Sequence, residues 1–390
     1  MVLEPDDFYR ASNLNGNPFR PNPIYGIDPR IGIWVGYEKQ RSQLIKFLTR
    51  SRSDQVGNIN FVMLYGDYGT GKSHALLWAM NEITNRRQEE FDSVAYYVPT
   101  IKKEKGALTF AGAFREDIVG RSSMIEDVLQ YRHFLRSVAV KYAEEHPEYK
   151  GKDDHFIIDV LIEAIDLKRF AHEILKCDSP EKTKSFICPD KMTDYEAMTR
   201  FTRIVNLFVL EMPLADGLHR FKKAAYLMID EMDDLQRASA KEAREVNDIL
   251  RHIYDSCPTN FGLVIALSAE IADMAAIFYD YLLERISRRI AFDTMDRAVA
   301  IDFVKAIMDE DHNRVDSGGP RGFFPFDADA VDATASALVK ITPRKIINIM
   351  QQVLEEVRLA GLDPATAVAD LAFLDEHEIL YEVLGDGGLN

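Results

Sequence analysis

The sequence predicts an α/β fold in which helices flank a parallel β-sheet. Short apolar segments typical of buried strands occur at residues 58–65, 91–100, 224–229 and 260–270. Segments with the apolar spacing of helices lie between them, as a doubly wound sheet requires. The 390 residues have a hydrophobic content of 47%, which is sufficient for one large or two medium domains with a buried core.

The segment that follows the first predicted strand fits the phosphate-binding pattern GxxxxGK[ST]. Its residues are Gly66, Asp67, Tyr68, Gly69, Thr70, Gly71, Lys72 and Ser73. In this pattern the glycines let backbone N–H groups point at phosphate oxygens, the lysine neutralises the β- and γ-phosphates, and the serine hydroxyl binds Mg²⁺. The next residue, His74, lies in a segment with helical spacing, and we include it among the nucleotide-binding residues. We therefore expect a nucleoside triphosphate site rather than an unrelated glycine-rich turn.

A pair of acidic residues follows the apolar segment 224–229. We expect Asp230 to reach Mg²⁺, directly or through water, and Glu231 to orient the attacking water as a base. On its own the pair also fits a helix cap after a strand. Asp233 and Asp234 are expected to begin the next helix as solvated or N-terminal acids.

The apolar segment near residue 264 ends in a small polar residue, Ser268. Because parallel strands end at the same edge of a sheet, we expect its hydroxyl beside the phosphate loop. There it would contact the γ-phosphate or the water. The alternative is an ordinary turn residue.

These motifs resemble the AAA+ ATPases, which have a P-loop NTPase fold. Within them they resemble the branch of origin-recognition-type initiators and related ATPases of transposition and defence systems. The resemblance covers about residues 17–355. The N-P-F turn at Asn17 and the sequence IWVGYEKQRSQLIKFL are similar to a segment that helps enclose adenine in that branch, which implies Val35 for this role.

The resemblance also assigns the other motifs. Gly66–Ser73 match the Walker A motif, and Asp230 with Glu231 matches the Walker B motif. Ser268 falls at the sensor-1 position, where Asn or Thr is more usual. The resemblance implies ATP and Mg²⁺ as cofactors, with Ser73 and Asp230 as metal ligands, and a homo-oligomer with ATP at subunit interfaces. Initiators of this branch usually continue into a winged-helix domain, which we do not expect in this chain.

Two arginine-bearing segments extend the similarity. In YLLERISRRIAFD the register of the family pattern makes Arg289 the first choice for an arginine that acts in trans, with Arg285 and Arg288 as alternates. The alternative is a basic helix end. In ITPRKIINIMQQVLEEV, Arg344 lies in the first turn of a predicted helix and matches sensor 2. The N-terminus of a helix favours anions, so an arginine there is unfavourable unless it has an anionic partner. This partner is either a phosphate or the carboxylate of a surface salt bridge.

Three regions are expected from these landmarks. Residues 1–35 form an N-terminal arm on the adenine side, residues 36–293 the α/β nucleotide-binding core, and residues 294–390 a C-terminal helical lid with an acidic tail. Residues near 120–190 have helical periodicity and exceed what a minimal core requires, which predicts an all-α insertion. This insertion is either a protein-binding surface or structural padding.

Composition excludes several classes of protein. A net charge of −16 argues against a surface that coats nucleic acid indiscriminately. Three cysteines without CxxC pairs argue against a disulfide scaffold, and His172 with Cys177 and Cys188 is a weak zinc alternative to free thiols. The N-terminus lacks a basic apolar leader and no apolar run reaches membrane-spanning length, so we expect a cytoplasmic protein with no membrane partner.

Lysines 102, 103 and 105 form a basic loop in an otherwise acidic chain. Lys102, Lys103 and Lys105 are candidates for sequence-independent contact with DNA phosphates, as against a mobile solvated loop. Three functional classes remain open: an oligomeric ATPase switch or motor that regulates or loads a DNA-associated machine, a nucleotide-dependent regulatory scaffold with slow or no turnover, and a small-molecule kinase. Glu231 favours the first class, because a pure binding module needs no base to orient water.

Overall fold

The computed structural model describes residues 2–20, 28–54, 57, 60–104, 107–268 and 274–385. The chain divides into two compact units. One, here called the lid unit, comprises residues 1–41, 66–78 and 292–390. The other, here called the sheet unit, comprises residues 42–65 and 79–291.

Within the described residues, all strands longer than a single bridge lie in the sheet unit. They are β1 (Phe61–Tyr65), β2 (Ser93–Val98), β3 (Lys102–Glu104), β4 (Ala107–Thr109), β5 (Met212–Leu214), β6 (Gly217–His219), β7 (Ala224–Ile229), β8 (Phe261–Leu267) and β9 (Arg288–Ala291). Five of them form a parallel sheet in the order β2-β7-β8-β1-β9. The other four form the antiparallel hairpins β3–β4 and β5–β6.

Helices make up most of the rest of the described chain. They are α1 (Pro5–Ala11), α2 (Glu38–Arg50), α3 (Lys72–Asn81), α4 (Gln88–Phe91), α5 (Phe110–Ala113), α6 (Met124–Glu145), α7 (Asp154–Leu161), α8 (Ile165–Lys176), α9 (Pro180–Ile187), α10 (Asp194–Val209), α11 (Ala240–Asp255), α12 (Met274–Ile277), α13 (Asp280–Leu283), α14 (Arg297–Asp309), α15 (Ala328–Ser336), α16 (Pro343–Leu359), α17 (Leu371–Glu376) and α18 (Ile379–Leu384). Short 3₁₀ or π turns are Pro29–Gly32, Glu82–Arg86, Phe114–Val119, Pro147–Tyr149, Met232–Arg237 and Asp311–Asn313. No helix in the described part is long and apolar enough to cross a bilayer.

The sheet register brings the carboxyl ends of the central strands to one edge. Tyr65, the last residue of β1, lies opposite Leu267, the last residue of β8. Ile229, the last residue of β7, lies opposite Ile265. The strands β7 and β8 are buried throughout, as parallel strands covered on both faces should be. The residues that follow these strands therefore start from the same edge of the sheet.

One continuous apolar core fills the sheet unit. It extends from the strands, for example Tyr96, to side chains of the helices α6 to α8 such as Tyr131, Ile158 and Ile174. The helices α10 and α11 each begin with a capping box, in which a serine or threonine and a glutamate three residues later exchange hydrogen bonds with the backbone. The predicted insertion region is thus helical and is packed on the same core as the sheet.

The lid unit has a separate core. Phe8 and Phe19 of the N-terminal segment are buried with residues of α14 and α16, such as Val304, Ile346 and Met350. The N-P-F turn is anchored there, because its asparagine side chain donates to the Gln351 carbonyl and accepts from the Phe19 N–H. The N-terminal segment therefore belongs to the same compact unit as the C-terminal helices.

The fold class predicted from the sequence is confirmed, and two local interpretations need correction. The basic loop near residue 103 is the hairpin β3–β4. The segment that contains Arg288 and Arg289 is the edge strand β9 and not a helix end. Both differences concern strands of three or four residues, which are too short to produce a recognisable alternation of apolar and polar residues.

A glycine in the centre of the sheet provides a test of this packing. Gly262 in β8 lies opposite Tyr226, and a Cβ there would lie 2.6 Å from Tyr226 Cδ1 and 2.8 Å from Phe47 Cζ. We expect Gly262→Ala to lower the free energy of unfolding by about 1–3 kcal/mol, because the aromatic rings must shift. The matched control is Gly318→Ala, where the new Cβ meets no atom closer than Asp316 Oδ1 at 3.6 Å. Equal urea unfolding midpoints for the two variants would contradict this packing.

Candidate functional site

The phosphate loop of the lid unit has a backbone that admits only glycine at several positions. Gly66, Gly69 and Gly71 have φ angles of +144°, +81° and +98°, which other residues rarely adopt. A Cβ on Gly66 would lie 2.1 Å from the Phe292 carbonyl oxygen, and a Cβ on Gly69 would lie 2.9 Å from Arg344 Cβ. The loop is therefore closely surrounded by backbone and side-chain atoms of its own unit, and its path is fixed.

Lys72 folds back across this loop. It is the first residue of α3, its exposed fraction is 5%, and its Nζ donates to the carbonyls of Gly66 at 3.0 Å and Asp67 at 2.8 Å. The Thr70 hydroxyl donates to the same Asp67 carbonyl at 2.8 Å. Ser73 is exposed in the first turn of α3. A cationic side chain and the N–H groups of a helix N-terminus thus converge at the loop, which is the arrangement that binds phosphate.

The helix α16 begins against the phosphate loop. Thr342 caps this helix through its side chain, which accepts from the Lys345 N–H. The Arg344 N–H donates to the Gly69 carbonyl at 3.2 Å, and the Arg344 guanidinium lies over the Tyr68 ring with Cζ 4.2 Å from the ring centroid. The structure therefore brings the predicted sensor-2 arginine to the phosphate loop within one unit.

Aromatic side chains surround the segment predicted to lie on the adenine side. Trp34 precedes the half-buried Val35 and packs edge-on against Trp78 of α3, with ring centroids 4.8 Å apart. The guanidinium of Arg41 lies over the Trp78 ring, with Cζ 5.3 Å from the ring centroid. Within the described residues the indole N–H groups of Trp34 and Trp78 are buried without a hydrogen-bond partner. Sequence reasoning missed this cluster, although both of the tryptophans in the chain belong to it.

His74 connects α3 to the same segment. Its Nε2 lies 2.7 Å from the Ile33 carbonyl oxygen. A carbonyl only accepts hydrogen bonds, so Nε2 carries the proton and donates. Burial lowers the pKa of His74, which favours the neutral ring. A neutral histidine here ties the first turns of α3 to the residues just before Val35.

In the sheet unit, Asp230 follows the last residue of β7 and is buried. Its Oδ2 accepts from the Tyr97 hydroxyl at 2.9 Å, and its Oδ1 accepts from the Glu231 N–H at 2.9 Å. Both of these donors are neutral, so they orient the carboxylate without cancelling its charge. Sequence reasoning missed Tyr97, because its contact with Asp230 depends on the pairing of β2 with β7.

Glu231 has an unusual backbone conformation. Its φ and ψ angles are 46° and 48°, in the left-handed region, and its side chain is exposed. This conformation costs a non-glycine residue about 1–2 kcal/mol, and such strain is concentrated at functional sites. The turn directs the chain from β7 into the 3₁₀ segment Met232–Arg237.

Asp233 connects the ends of two neighbouring strands. Ser268, the residue that follows β8, donates its N–H to Asp233 Oδ1. Asp234 accepts from the Thr100 hydroxyl at 3.5 Å. Both acids lie in the first turn of a 3₁₀ segment, as N-terminal acids do, and Asp233 in addition fixes the position of the Ser268 backbone. The sheet unit therefore brings Asp230, Glu231 and Ser268 to one edge.

The candidate trans-acting arginines differ in their partners. Arg285 forms a two-point ion pair with Asp255, at 2.7 Å and 2.8 Å, and donates to the Tyr281 carbonyl. The hydrogen bond to Asp255 raises the pKa of Arg285. Arg288 and Arg289 are exposed on the edge strand β9, where Arg289 lies opposite Met63 of β1. The charge of Arg285 is thus compensated within its own unit.

The remaining predicted positions lie outside this geometry. Lys105 is outside the described residues, and so are the side chains of Lys102 and Lys103. The three cysteines, Cys177, Cys188 and Cys257, are buried free thiols. Among the described residues, no group of three or more His, Cys, Asp or Glu side chains forms that could hold a metal ion.

Comparison with known proteins gives similarity in fold. No protein-family profile and no curated protein matches this sequence. The ADP form of the Aeropyrum pernix ORC2 protein is 10% identical, with 95% of this chain and 72% of that chain covered and a TM-score of 0.52. The ADPNP-ADP complexes of the same protein give 10% identity, coverages of 94% and 70%, and a TM-score of 0.51. This likeness in fold confirms the predicted α/β architecture, a parallel sheet flanked by helices, which this chain shares with the ORC2 structures.

The lowered pKa of His74 predicts a specific pH dependence of stability. Well above pH 6.5 this histidine is neutral in both the folded and the unfolded state, whereas on lowering the pH the unfolded state binds a proton first. The free energy of unfolding should therefore decrease as the pH is lowered below about 6.5, by up to about 1.4 kcal/mol per pH unit, until the lower pKa of the folded state is reached. In urea unfolding at pH 8, 7, 6 and 5, His74→Gln should have a flatter profile than the wild type. The exposed His133 provides the control His133→Gln, and a wild-type slope in His74→Gln would refute the assignment.

Proposed function

We propose that this protein binds and hydrolyses ATP with Mg²⁺ at subunit interfaces. In this proposal it acts as an oligomeric switch or motor that regulates or loads a DNA-associated partner machinery. The proposal rests on the phosphate loop. Three of its glycines have positive φ angles, Lys72 donates to the carbonyls of Gly66 and Asp67, and α3 begins there; together these features fit a triphosphate chain. The ADP and ADPNP-ADP forms of the ORC2 protein, which has a similar fold, support nucleotide binding.

The ligand contacts are assigned as follows. Gly66–Ser73 hold the phosphates, with Lys72 neutralising the β- and γ-phosphates. Ser73 and Asp230 are the proposed Mg²⁺ ligands, and the metal supplies charge neutralisation of the phosphate oxygens. On the base side we propose Val35 with His74, and the buried, unpartnered indole N–H of Trp34 supports a nitrogen-rich base there.

Hydrolysis is divided between two neighbouring carboxylates. Asp230 is buried and oriented by neutral donors, which suits a metal ligand. Glu231 is exposed on a strained turn, which suits a base that orients water at the γ-phosphate. Ser268 is held by its backbone at Asp233, so its hydroxyl is the proposed sensor-1 contact. Arg344 supplies positive charge at the phosphate loop from the lid helix α16.

Arg289 is the proposed arginine that acts in trans on the site of a neighbouring subunit. It is exposed on an edge strand, whereas Arg285 is committed to Asp255. This difference supports the order of preference derived from the sequence. The protein is thus proposed to be a homo-oligomer whose activity depends on assembly.

The partners remain a separate part of the proposal. The exposed apolar side chains of Val140, Phe156 and Ile165 on the helical insertion support a protein-binding surface there. Lys102, Lys103 and Lys105 are proposed to contact DNA phosphates, with an affinity that falls steeply with salt. Location in the cytoplasm is proposed with this function.

Nucleotide binding and turnover test the central assignment. Lys72→Ala should weaken ATP binding by at least about a hundredfold, because it removes charge-assisted hydrogen bonds to phosphate. Glu231→Gln should retain ATP binding and lose about 10²–10⁴ in turnover. Lys340→Ala is the matched control, since this lysine forms only an exposed ion pair with Asp67 and should change affinity little.

Two outcomes would contradict these roles. Normal ATP affinity in Lys72→Ala would refute the phosphate-loop assignment. Unchanged turnover in Glu231→Gln would remove the base, and a wild-type protein that binds ATP but scarcely turns it over would favour the regulatory scaffold.

Mixing of inactive subunits tests the arginine in trans. Arg289→Ala alone should lower turnover by about 10³–10⁵. Mixed with Lys72→Ala subunits it should regain activity, because some shared sites then combine an intact lysine with an intact arginine. The wild-type rate per subunit should rise with protein concentration together with particle mass. The control is Arg285→Ala mixed with Lys72→Ala subunits in the same way, for which mixing should not raise the turnover. Absence of recovery for Arg289→Ala in proven co-assemblies would make Arg289 structural.

A further inference from the structure

An exposed tyrosine of the phosphate loop lies under the lid arginine. Tyr68 is the third residue of the loop, and 68% of its surface is exposed. The Arg344 guanidinium lies over its ring at 4.2 Å from the centroid. This distance is well within the range in which a cation is attracted by the face of an aromatic ring. The pattern GxxxxGK[ST] leaves the residue type at this position open, so Tyr68 has no role in the motif itself.

The backbone of Arg344 is fixed at the same place. Its N–H donates to the Gly69 carbonyl at 3.2 Å, and its Cβ lies only 2.9 Å from the position that a Cβ on Gly69 would take. The Thr342 cap fixes the first turn of the helix. Arg344 is therefore held at both ends. Its backbone N–H is bonded to the loop backbone, and its guanidinium contacts the Tyr68 ring.

The ring holds this arginine without neutralising it. Within the described part of the chain, no carboxylate forms an ion pair with Arg344, and the carboxylate of the same loop, Asp67, pairs with Lys340 at 3.5 Å. The N–H donors of a guanidinium lie in its plane, and the face of an aromatic ring attracts the cation without cancelling its charge. A carboxylate partner would instead occupy these donors and cancel the charge.

We propose that Tyr68 is a positioning residue of the nucleotide site, which holds the Arg344 guanidinium at the phosphate loop and so raises the preference for a triphosphate over a diphosphate. The inference rests on the proposed function, in which this loop binds ATP. The two nucleotides differ by the γ-phosphate, and the proposed role of Arg344 is to contact it. An arginine that is already ordered loses less side-chain freedom on binding than a mobile one.

The size of the effect follows from the exposure of the ring. A cation–π contact at an exposed site corresponds to about a two- to fivefold change in an equilibrium constant. Removing the ring should therefore lower the affinity for a triphosphate by this factor and leave the affinity for a diphosphate nearly unchanged. A tyrosine that merely stabilises the loop would affect both nucleotides equally.

The experiment measures the dissociation constants of ADPNP and ADP with Mg²⁺ by calorimetry. In Tyr68→Leu the ratio of the ADP to the ADPNP constant should fall about two- to fivefold, and in Tyr68→Phe, which keeps the ring, it should stay at the wild-type value. In an Arg344→Ala background, Tyr68→Leu should cause no further change, because the ring then has no arginine to hold. Thermal midpoints serve as the folding control, since the ring is exposed.

Distinct results overturn the inference and its premise. Equal weakening of both nucleotides in Tyr68→Leu, a ratio that does not change or rises, or the same fall in the Arg344→Ala background each overturns the positioning role alone. A wild-type protein that binds neither ADPNP nor ADP overturns the proposed function and this inference with it.

Discussion

The backbone path of the phosphate loop is the constraint on which the candidate site depends. At Gly66 and Gly69 there is no space for a Cβ, because the Phe292 carbonyl and the Arg344 side chain occupy it. This close approach, with the left-handed φ angles, determines where α3 begins and hence where Lys72 and its helix N-terminus lie. The packing of the lid unit and the shape of its proposed anion site therefore depend on the same backbone path, and a side chain at either glycine would disturb both.

Two carboxylates beside the motifs, Asp230 and Asp233, accept hydrogen bonds from neutral donors. The recorded hydrogen bonds to Asp230 come from a tyrosine hydroxyl and a backbone N–H, and Asp233 accepts from the Ser268 N–H. Neutral donors fix the direction of a carboxylate and leave its charge for a metal or a proton. An arginine in the place of Tyr97 would orient Asp230 equally well and would make it a poorer ligand for a cation.

The sequence alone predicted the long buried strands and the motifs that follow them, because each is a continuous apolar run that ends in residues of a known chemical pattern. It did not predict β9, since a strand of four residues with two exposed arginines at a sheet edge has no apolar run. It also missed Tyr97 and the role of Asp233, which depend on strand pairing rather than on neighbours in the chain. In the structure, residues 66–78 group with the C-terminal helices in one compact unit, and motif order along the chain does not contain this grouping.

Three of the four arginines singled out from the sequence show how different surroundings decide what each charge can do. Arg285 has a two-point carboxylate partner, so moving it to a phosphate would leave Asp255 unpaired. Arg289 is exposed on an edge strand, which keeps its charge accessible to another molecule. Arg344 lies over an aromatic ring, a partner that does not cancel its charge. The identity of the partner thus separates a structural arginine from those that remain available to a phosphate, a distinction that spacing along the chain does not contain.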